Sequence, residues 1–323
     1  MNSTIAITGG AGFIGSHVAE YLVGLGARVV VFDNFSTGER SFLPKSDLCT
    51  VVEGDIRSRK DIGRMFDAYP AIDSVIHLAA QSKVGQSLAD PAEDSAVNVM
   101  GTLNVTEAAG QHGVKRMVYA SSAAVYGDGD SLPLTEDTLC RPLSPYGVSK
   151  LAGEFYVLNC GSRFGCRTGV FRFSNVFGPR QKAGTESGVI TIFVDALLRG
   201  EQPVIYGDGE QTRDFVYVKD VAAALVAFLQ NDEMVAGEDE QTPGVYHVST
   251  NTETSINQLV HHLQGLTGSE VSPVYGQARS GDIRYSRLDH HKLRYALNWN
   301  ADTSLYEGLK ATVSYERMRN RKD

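Results

Sequence analysis

A membrane-spanning stretch is missing from this chain: no apolar run approaches the ~18 residues that such a span needs. The apolar stretch at residues 5–7 is too short for a signal peptide and runs into glycines, so the expected location is cytoplasmic. Cysteine is scarce. Cys49, Cys140, Cys160 and Cys166 show no Cys-x-x-Cys spacing and the histidines are scattered, which argues against a metal site and for free thiols in a reducing compartment. Positive charge is in the minority, with 30 Lys and Arg against 38 Asp and Glu and a net charge of -8. The basic residues cluster only at the tail, at Arg317, Arg319, Arg321 and Lys322, where they read as a solvated helix end. Without a basic stripe, nucleic acid is not the main partner. Internal repeats and low-complexity segments are also lacking, and the acidic stretch at 231–241 reads as a surface loop.

What is present is an ordinary globular balance, 42% apolar and 21% charged over 323 residues, enough for a sizeable core and for two domains. Residues 4–8 read as a short buried strand that runs into Gly9-Gly-Ala-Gly-Phe-Ile-Gly15, followed by an apolar-periodic helix over about 13–25. Gly10, Gly12 and Gly15 fit Gly-x-Gly-x-x-Gly, and Gly9, Gly12 and Gly15 fit Gly-x-x-Gly-x-x-Gly. Either spacing sets a pyrophosphate on the backbone N–H groups at the helix start. The second strand, 28–33, ends in Asp33, whose carboxylate suits both hydroxyls of an adenosine ribose and would repel a 2′-phosphate, so NAD is favoured over NADP. The plain alternative for Asp33 is a turn residue before Asn34 and Ser36.

Further strands at 50–55, 74–80, 115–122 and 167–175 alternate with helical stretches near 60–69 and 91–112. They are nearly continuous in apolar residues, as parallel strands covered on both faces are. The fold expected is therefore α/β, a Rossmann doubly wound parallel sheet that binds ligands at its carboxyl ends, where Asp55, Ala79, Ala80, Ser121 and Ser122 fall. Beyond Asn175 the pattern loosens, so residues 1–175 are expected to form the NAD-binding domain, with 215–250 returning to it, and 176–323 a smaller substrate domain. Tyr146 and Lys150, four apart in Ser-Pro-Tyr-Gly-Val-Ser-Lys, share one face of a helix. A fixed positive charge beside a phenol favours the phenolate and makes a useful base of it. A half-buried Tyr beside a solvated Lys is the ordinary alternative.

Taken together, GGAGFIGSH at the start, HLAA at 77–80, NVMGT around Asn98, SSAAVYG at 121–127, SPYGVSK, FRFSNVFGPRQ at 171–181, GDGEQTRDFVYV at 207–218 and RSGDIRYS at 279–286 resemble the extended short-chain dehydrogenase/reductases of the nucleotide-sugar epimerase/dehydratase group. Within it the chain is most similar to the UDP-hexose 4-epimerases, nearly end to end. The resemblance implies a Rossmann domain, a smaller sugar-nucleotide domain, NAD held between them, and a homodimer through a four-helix bundle built from helices near 91–112 and 146–163. It implies Ser122, Tyr146 and Lys150 as the catalytic residues. NAD would be held by Gly9, Gly12, Phe13, Ile14, Gly15, Asp33, Asn34, Ser36, Asp55, Ile56, Leu78, Ala79, Ala80, Asn98, Ser121, Tyr146, Lys150, Phe173 and Val176. In the shared first step Tyr146 takes the 4-hydroxyl proton, Ser122 relays it, and hydride passes to NAD, while Lys150 holds the cofactor ribose and, with the positive nicotinamide, lowers the Tyr146 pKa.

Relatives that dehydrate the sugar carry an Asp-Glu pair directly after the catalytic serine or threonine, and relatives that decarboxylate UDP-glucuronate carry a Glu at the second of those positions. Here the pair is Ala123 and Ala124, and a methyl group transfers no proton. What remains is return of the same hydride to the other face of the 4-ketose. For the substrate the resemblance implies contacts from Ser122, Ala123, Tyr146, Asn175, Val189, Val204, Tyr206, Arg213, Arg279, Asp282 and Ser286: Asn175, Arg213 and Arg279 on the diphosphate, Asp282 on the uridine ribose, Tyr206 near the uracil. Arg213 would otherwise pair with Asp214 or Asp220, and Tyr206 would otherwise be core. Ser286 stands where some relatives place a bulky Tyr, leaving room for a 2-N-acetyl group, so UDP-GlcNAc and UDP-GalNAc join UDP-Glc and UDP-Gal as expected substrates. A UDP-glucuronate 4-epimerase, a nucleotide-sugar 4-ketoreductase and a non-catalytic dinucleotide-binding regulator remain alternatives.

Overall fold

The computed structural model describes residues 3–129, 131–182, 188–231, 244–278 and 283–320. The acidic stretch at 232–241, Arg279, Asp282, Arg321 and Lys322 lie outside the described residues. In chain order the elements through the central sheet are β1 (Thr4–Thr8), α1 (Phe13–Gly24), β2 (Arg28–Asp33), β3 (Cys49–Glu53), α2 (Arg59–Ala68), β4 (Ile72–His77), α3 (Val84–Ala89), α4 (Pro91–Ser95), α5 (Gly101–Gln111), β5 (Arg116–Ser122), α6 (Pro145–Phe164) and β6 (Arg167–Phe173). There follow β7 (Asn175–Phe177), α7 (Val189–Leu198), β8 (Val204–Tyr206), β9 (Thr212–Arg213), β10 (Phe215–Tyr217), α8 (Val218–Gln230), β11 (Val245–Val248), β12 (Thr254–Ser255), α9 (Ile256–Thr267), β13 (Val274–Gly276), α10 (His291–Leu297) and α11 (Leu305–Asn320).

Seven strands form one parallel sheet in the order β11-β6-β5-β4-β1-β2-β3, the doubly wound Rossmann arrangement with one added strand. Side chains alternate between its faces. Ile5, Ile7, Val29 and Val31 pack toward α1, α8 and α10, whereas Ala6, Val30 and Phe32 pack toward α2, α5 and α6. Both faces are apolar because both are covered, which is why the strands read as continuous hydrophobic runs. A further core around Phe193, Leu259 and Leu309 joins α7, α9 and α11 beside the carboxyl edge of the sheet. None of the helices among the described residues is long and apolar enough to cross a membrane.

The strand expected over 167–175 is two strands. β6 ends at Phe173, Ser174 N–H donates to Val248 O at 3.1 Å, and Asn175 N–H donates to Asp214 O at 2.9 Å. The chain therefore changes partner at Ser174, and β7 pairs with β10 outside the main sheet. The helix expected over 91–112 is interrupted by a π-helical turn at Ala96–Met100, a wide turn of the kind that often marks a functional region. At the tail, Arg317 is not simply solvated: its guanidinium donates to Leu266 O and Thr267 O at the end of α9.

Candidate active site

A cavity of about 560 Å³ runs along the carboxyl edge of the sheet, within the size range of small-molecule and cofactor sites. Its floor is the glycine loop and the start of α1, with Gly9, Gly12, Phe13, Ile14 and Gly15. A Cβ on Gly15 would lie 2.2 Å from Gly9 O and 2.6 Å from Gly10 Cα, so the close approach of loop to helix needs glycine there. The helix N-terminus at Gly12 has no side-chain cap and no acid in its first turn, leaving its donors and positive dipole end suited to an anion.

Asp33, Asn34 and Ser36 from the end of β2, Asp55 and Ile56 from the loop after β3, and Leu78, Ala79 and Ala80 from the loop after β4 form one wall. Asp33 takes Ala11 N–H on Oδ2 at 2.9 Å and Phe35 N–H on Oδ1 at 2.8 Å. Burial raises its pKa and those two donors oppose the rise. The two readings of Asp33 thus combine, since it fixes the turn and lines the cavity. Asp55 is held at about 2 by the Arg57 guanidinium, which sits 2.7 Å away. Ser121, Tyr146, Lys150, Phe173 and Val176 close the other side. These residues fit an adenine dinucleotide: an uncapped helix end for the pyrophosphate, a carboxylate at the end of β2 for a ribose, and an apolar far end at Phe173 and Val176 for a flat ring.

Asn98 is bonded to the main chain of the cavity wall. It is not among the residues lining the cavity; its Nδ2 donates to Gln81 O at 2.9 Å and its Oδ1 accepts Gln81 N–H at 2.9 Å. Nδ2 also meets Asp94 and Ser149, so the amide shapes the loop that carries Gln81. Gln81, Lys83, Gln86, Arg57 and Gln181 line the cavity and were not foreseen. Lys83 carried a faint signal as the first cation past the carboxyl end of a parallel strand. The others sit in loops without a local pattern.

Tyr146 is placed by the start of α6. Ser144 caps that helix, its Oγ accepting Gly147 N–H at 3.2 Å, a cap worth about 1 kcal/mol, and Pro145 presets the first turn. A Cβ on Gly147 would lie 2.5 Å from Ala124 O, so glycine lets the helix start press against the turn Ala123–Val125. Ser122 caps that turn by accepting Ala124 N–H at 3.2 Å and hydrogen-bonds the Tyr146 side chain. With a backbone N–H already donating to Oγ, the Ser122 hydroxyl proton is free to point at the phenol oxygen.

Lys150 Nζ donates to Ala120 O at 2.9 Å and lies 5.9 Å from the Tyr146 ring centroid. Lys150 is thus buried and bonded, not the solvated cation of the ordinary alternative. The expected lowering of the Tyr146 pKa involves Lys150 together with the nicotinamide; among the protein's own groups burial is the larger effect. Burial pushes the phenol up to about 12, eased by the Ser122 hydrogen bond and reinforced by Asp94. Burial also pulls Lys150 down to about 8, against the pull of Asp94 and Glu154. Desolvation dominates both groups, and the ammonium is turned toward Ala120 O.

Of the described residues expected around the sugar nucleotide, Tyr146 lines the cavity and the others are not among its lining residues. Ala123 follows Ser122, Asn175 opens β7, Val189 opens α7, and Val204 and Tyr206 bracket β8. Tyr206 is 40% exposed, so it is not core. Arg213 is half-buried on β9, its Nη1 donating to Thr212 O at 2.8 Å. Thr212 N–H donates to Arg284 O at 3.0 Å, which carries the segment with Ser286 alongside β9. Asp214 spends its carboxylate on Thr250, Asn251 and Leu288, and Asp220 on Thr303.

Three comparisons bear on this arrangement. A "Putative UDP-glucose 4-epimerase" of Methanocaldococcus jannaschii is 38% identical over 320 residues, covering 98% of this chain and 99% of the relative. The crystal structure of UDP-glucose 4-epimerase with UDP-glucose from Thermotoga maritima superposes with a TM-score of 0.91 at 37% identity, covering 98% of this chain and 99% of that one. A UDP-N-acetylglucosamine 4-epimerase from Methanobrevibacter ruminantium, in complex with UDP-N-acetylmuramic acid, gives a TM-score of 0.91 at 32% identity over 98% and 99% of the two chains. The profile of the NAD dependent epimerase/dehydratase family matches residues 5–242, and with a Rossmann sheet, a dinucleotide-sized cavity and relatives matched end to end, the chain belongs to that family.

Proposed function

We propose that the protein is an NAD-dependent 4-epimerase of UDP-hexoses that works through a transient 4-ketose. The observation that carries this reading is Ser122 and Tyr146 in hydrogen-bond contact beside the cavity, on a turn whose next two side chains are the methyls of Ala123 and Ala124. Bound NAD would supply a hydride acceptor that also returns the hydride, and its positive ring would favour the phenolate. Ser122 relays and Tyr146 takes up the 4-hydroxyl proton, then gives it back on the opposite face of the sugar. The Ala123–Val125 turn offers no acid or base at C5 or C6, so dehydration and decarboxylation have no partner there. Arg213 and Asn175 are read as the diphosphate contacts, a guanidinium fork suiting phosphate oxygens. Arg279 and Asp282 are read as a second diphosphate cation and a uridine ribose contact, Tyr206 as lying near the uracil, and Val189 and Val204 as further substrate contacts.

Ser286 is read as leaving room beside the sugar's 2-position. Purified enzyme without added NAD should convert UDP-Gal and, in a separate tube, UDP-GalNAc to their gluco isomers, followed by the anomeric proton NMR signals. Ser286→Tyr should keep the first conversion and lose at least about tenfold on the second, the size a lost pocket fit carries. No conversion in either tube, with or without NAD, overturns the epimerase reading, and UDP-GalNAc inert in wild type overturns the Ser286 reading alone.

The enzyme is also read as a homodimer. Val148 and Phe155, seven apart on α6, are 54% and 67% exposed, and Met100 at the foot of α5 is 47% exposed. An apolar stripe of this kind on two packed helices suits a four-helix interface with a second copy. Phe155→Glu should shift the light-scattering mass from dimer to monomer; a wild-type monomer rules the interface out.

A further inference from the structure

Three consecutive residues of β5 are each held by a different residue of α6. Lys150 Nζ donates to Ala120 O at 2.9 Å, Glu154 Oε1 accepts the Ser121 hydroxyl at 2.5 Å, and Tyr146 meets Ser122. Positions 146, 150 and 154 recur every four residues, so the three side chains form one stripe on the helix. Glu154 does more than its share. It also accepts both ends of the Arg172 fork, Nε at 2.9 Å and Nη2 at 2.7 Å, and Arg172 is the cross-strand partner of Ser121. The next pair in that register is Ser122 and Phe173, the first read as catalytic and the second lining the cavity. Glu154, Arg172 and Ser121 are 2%, 4% and 3% exposed, so solvent substitutes for none of these bonds.

We infer that Glu154 is a positioning residue for the reaction: by gripping Ser121 and Arg172 it locks the ends of β5 and β6 to the helix that carries Tyr146 and Lys150, and so fixes Ser122 against Tyr146. The inference rests on the reading of Ser122, Tyr146 and Lys150 above. It assigns Glu154 no contact with substrate or cofactor. A buried carboxylate could be there merely to neutralise Arg172, but charge balance alone does not require a third bond to the residue before the catalytic serine. Arg172 keeps its own anchors on the far side, Nη1 donating to Tyr126 Oη at 2.6 Å and Glu136 O at 3.2 Å, which makes the grip rigid.

The grip has an electrostatic consequence. The charged and titratable groups around Lys150 are Asp94 from α4, Glu154 and Tyr146 from α6, Tyr119 from β5, and His77 from β4, which burial keeps neutral. Of these only Asp94 and Glu154 support the ammonium. Removing the Glu154 charge also leaves the Arg172 cation uncompensated nearby, and both changes favour neutral Lys150.

The test is steady-state kinetics on purified holoenzyme with UDP-Gal, comparing Ser121→Ala, Glu154→Asp, Glu154→Gln and Tyr146→Phe. Glu154→Asp keeps the charge but shortens the reach, and is expected to lower kcat by about 10- to 100-fold, the size of effect that a displacement near 1 Å carries. KM should stay within about twofold of wild type, since ground-state binding is untouched, and the bound NAD content should be unchanged. Ser121→Ala, which leaves the ion pair intact and so folds even if the Glu154 variants do not, should lower kcat by about 3- to 10-fold with KM unchanged when NAD is kept saturating, since Ser121 also lines the cavity; this is the size of one lost hydrogen bond. Glu154→Gln should move the alkaline limb of the kcat–pH profile to lower pH. Wild-type kcat in Ser121→Ala overturns the inference, as does a loss confined to KM or to NAD content. If Tyr146→Phe turns over normally, the functional reading fails instead; if Tyr146→Phe is dead while Ser121→Ala matches wild type, only the role of Glu154 fails.

Discussion

Tyr146→Phe is expected to lower kcat by about 10²- to 10⁴-fold, the range that a positioned acid–base group supplies, while NAD remains bound. The ring is kept, so packing against the Lys150 ammonium 5.9 Å from its centroid survives, and only the ionisable oxygen is lost. Neither neighbour on the Ser122 turn can replace it, because Ala123 and Ala124 end in methyl groups, and Ser122 alone has too little acidity to hold the charge. The pH behaviour follows from two opposed shifts. Burial holds the Tyr146 phenol up to about 12 and lowers Lys150 to about 8. As pH rises, enzyme stripped of NAD should therefore lose the Lys150 proton first and keep the Tyr146 proton well beyond it, so the phenolate–ammonium pair is never the main species. A positive nicotinamide in the cavity adds the missing favourable charge. Ultraviolet difference titration of wild type against Tyr146→Phe should show no Tyr146 ionisation below about pH 11 in stripped enzyme and a clear step several units lower in holoenzyme, the scale of shift that a nearby buried charge produces. Turnover within about threefold of wild type in Tyr146→Phe would remove this residue from the mechanism.

The sheet and much of the cavity were legible in the sequence, for reasons that can be named. Each parallel strand buries both faces, so β1, β2 and β5 are short apolar runs that end at polar or glycine residues, and local pattern is enough to find them. The glycine loop and the carboxylate that closes β2 stand at a fixed spacing because one ligand would span both. Legibility failed where partners come from far away in the chain. The end of β6 at Phe173 is set by Val248 and Asp214, and no feature of residues 167–175 announces the change of partner. β8, β9, β12 and β13 are two or three residues long, too short to carry a period. The bonds of Asn98 to the main chain of Gln81 join residues 17 apart and had no local signature. The upward push of burial on Tyr146 is a property of the whole fold and has no signature in the Tyr146–Lys150 spacing. Glu154 passed unnoticed although it continues the Tyr146–Lys150 stripe by one more step of four, because its partners Ser121 and Arg172 lie 33 and 18 residues away along the chain.

Gly15→Ala is expected to strip the enzyme of its cofactor. The added Cβ would meet Gly9 O at 2.2 Å and Gly10 Cα at 2.6 Å, both backbone atoms with no rotamer to yield, so either the glycine loop or the first turn of α1 must move. The donors that would face a pyrophosphate belong to that loop and turn, and each hydrogen bond to a charged acceptor is worth about 1.5–3 kcal/mol. Losing two of them weakens NAD by about 3–6 kcal/mol, or roughly 10²- to 10⁴-fold in Kd, enough to turn a retained cofactor into one that dialyses away. Gly24→Ala is the matched control, made in the same helix at an exposed position where a Cβ meets nothing within 4 Å. That change should leave NAD in place and add about 0.5–1 kcal/mol of stability by restricting the unfolded chain. The nicotinamide released by denaturing each purified protein gives the occupancy, and circular dichroism reports whether the sheet and helices survive. Full occupancy in a folded Gly15→Ala protein would mean that the pyrophosphate does not rest on this loop, and the cofactor's place along the carboxyl edge would have to be redrawn.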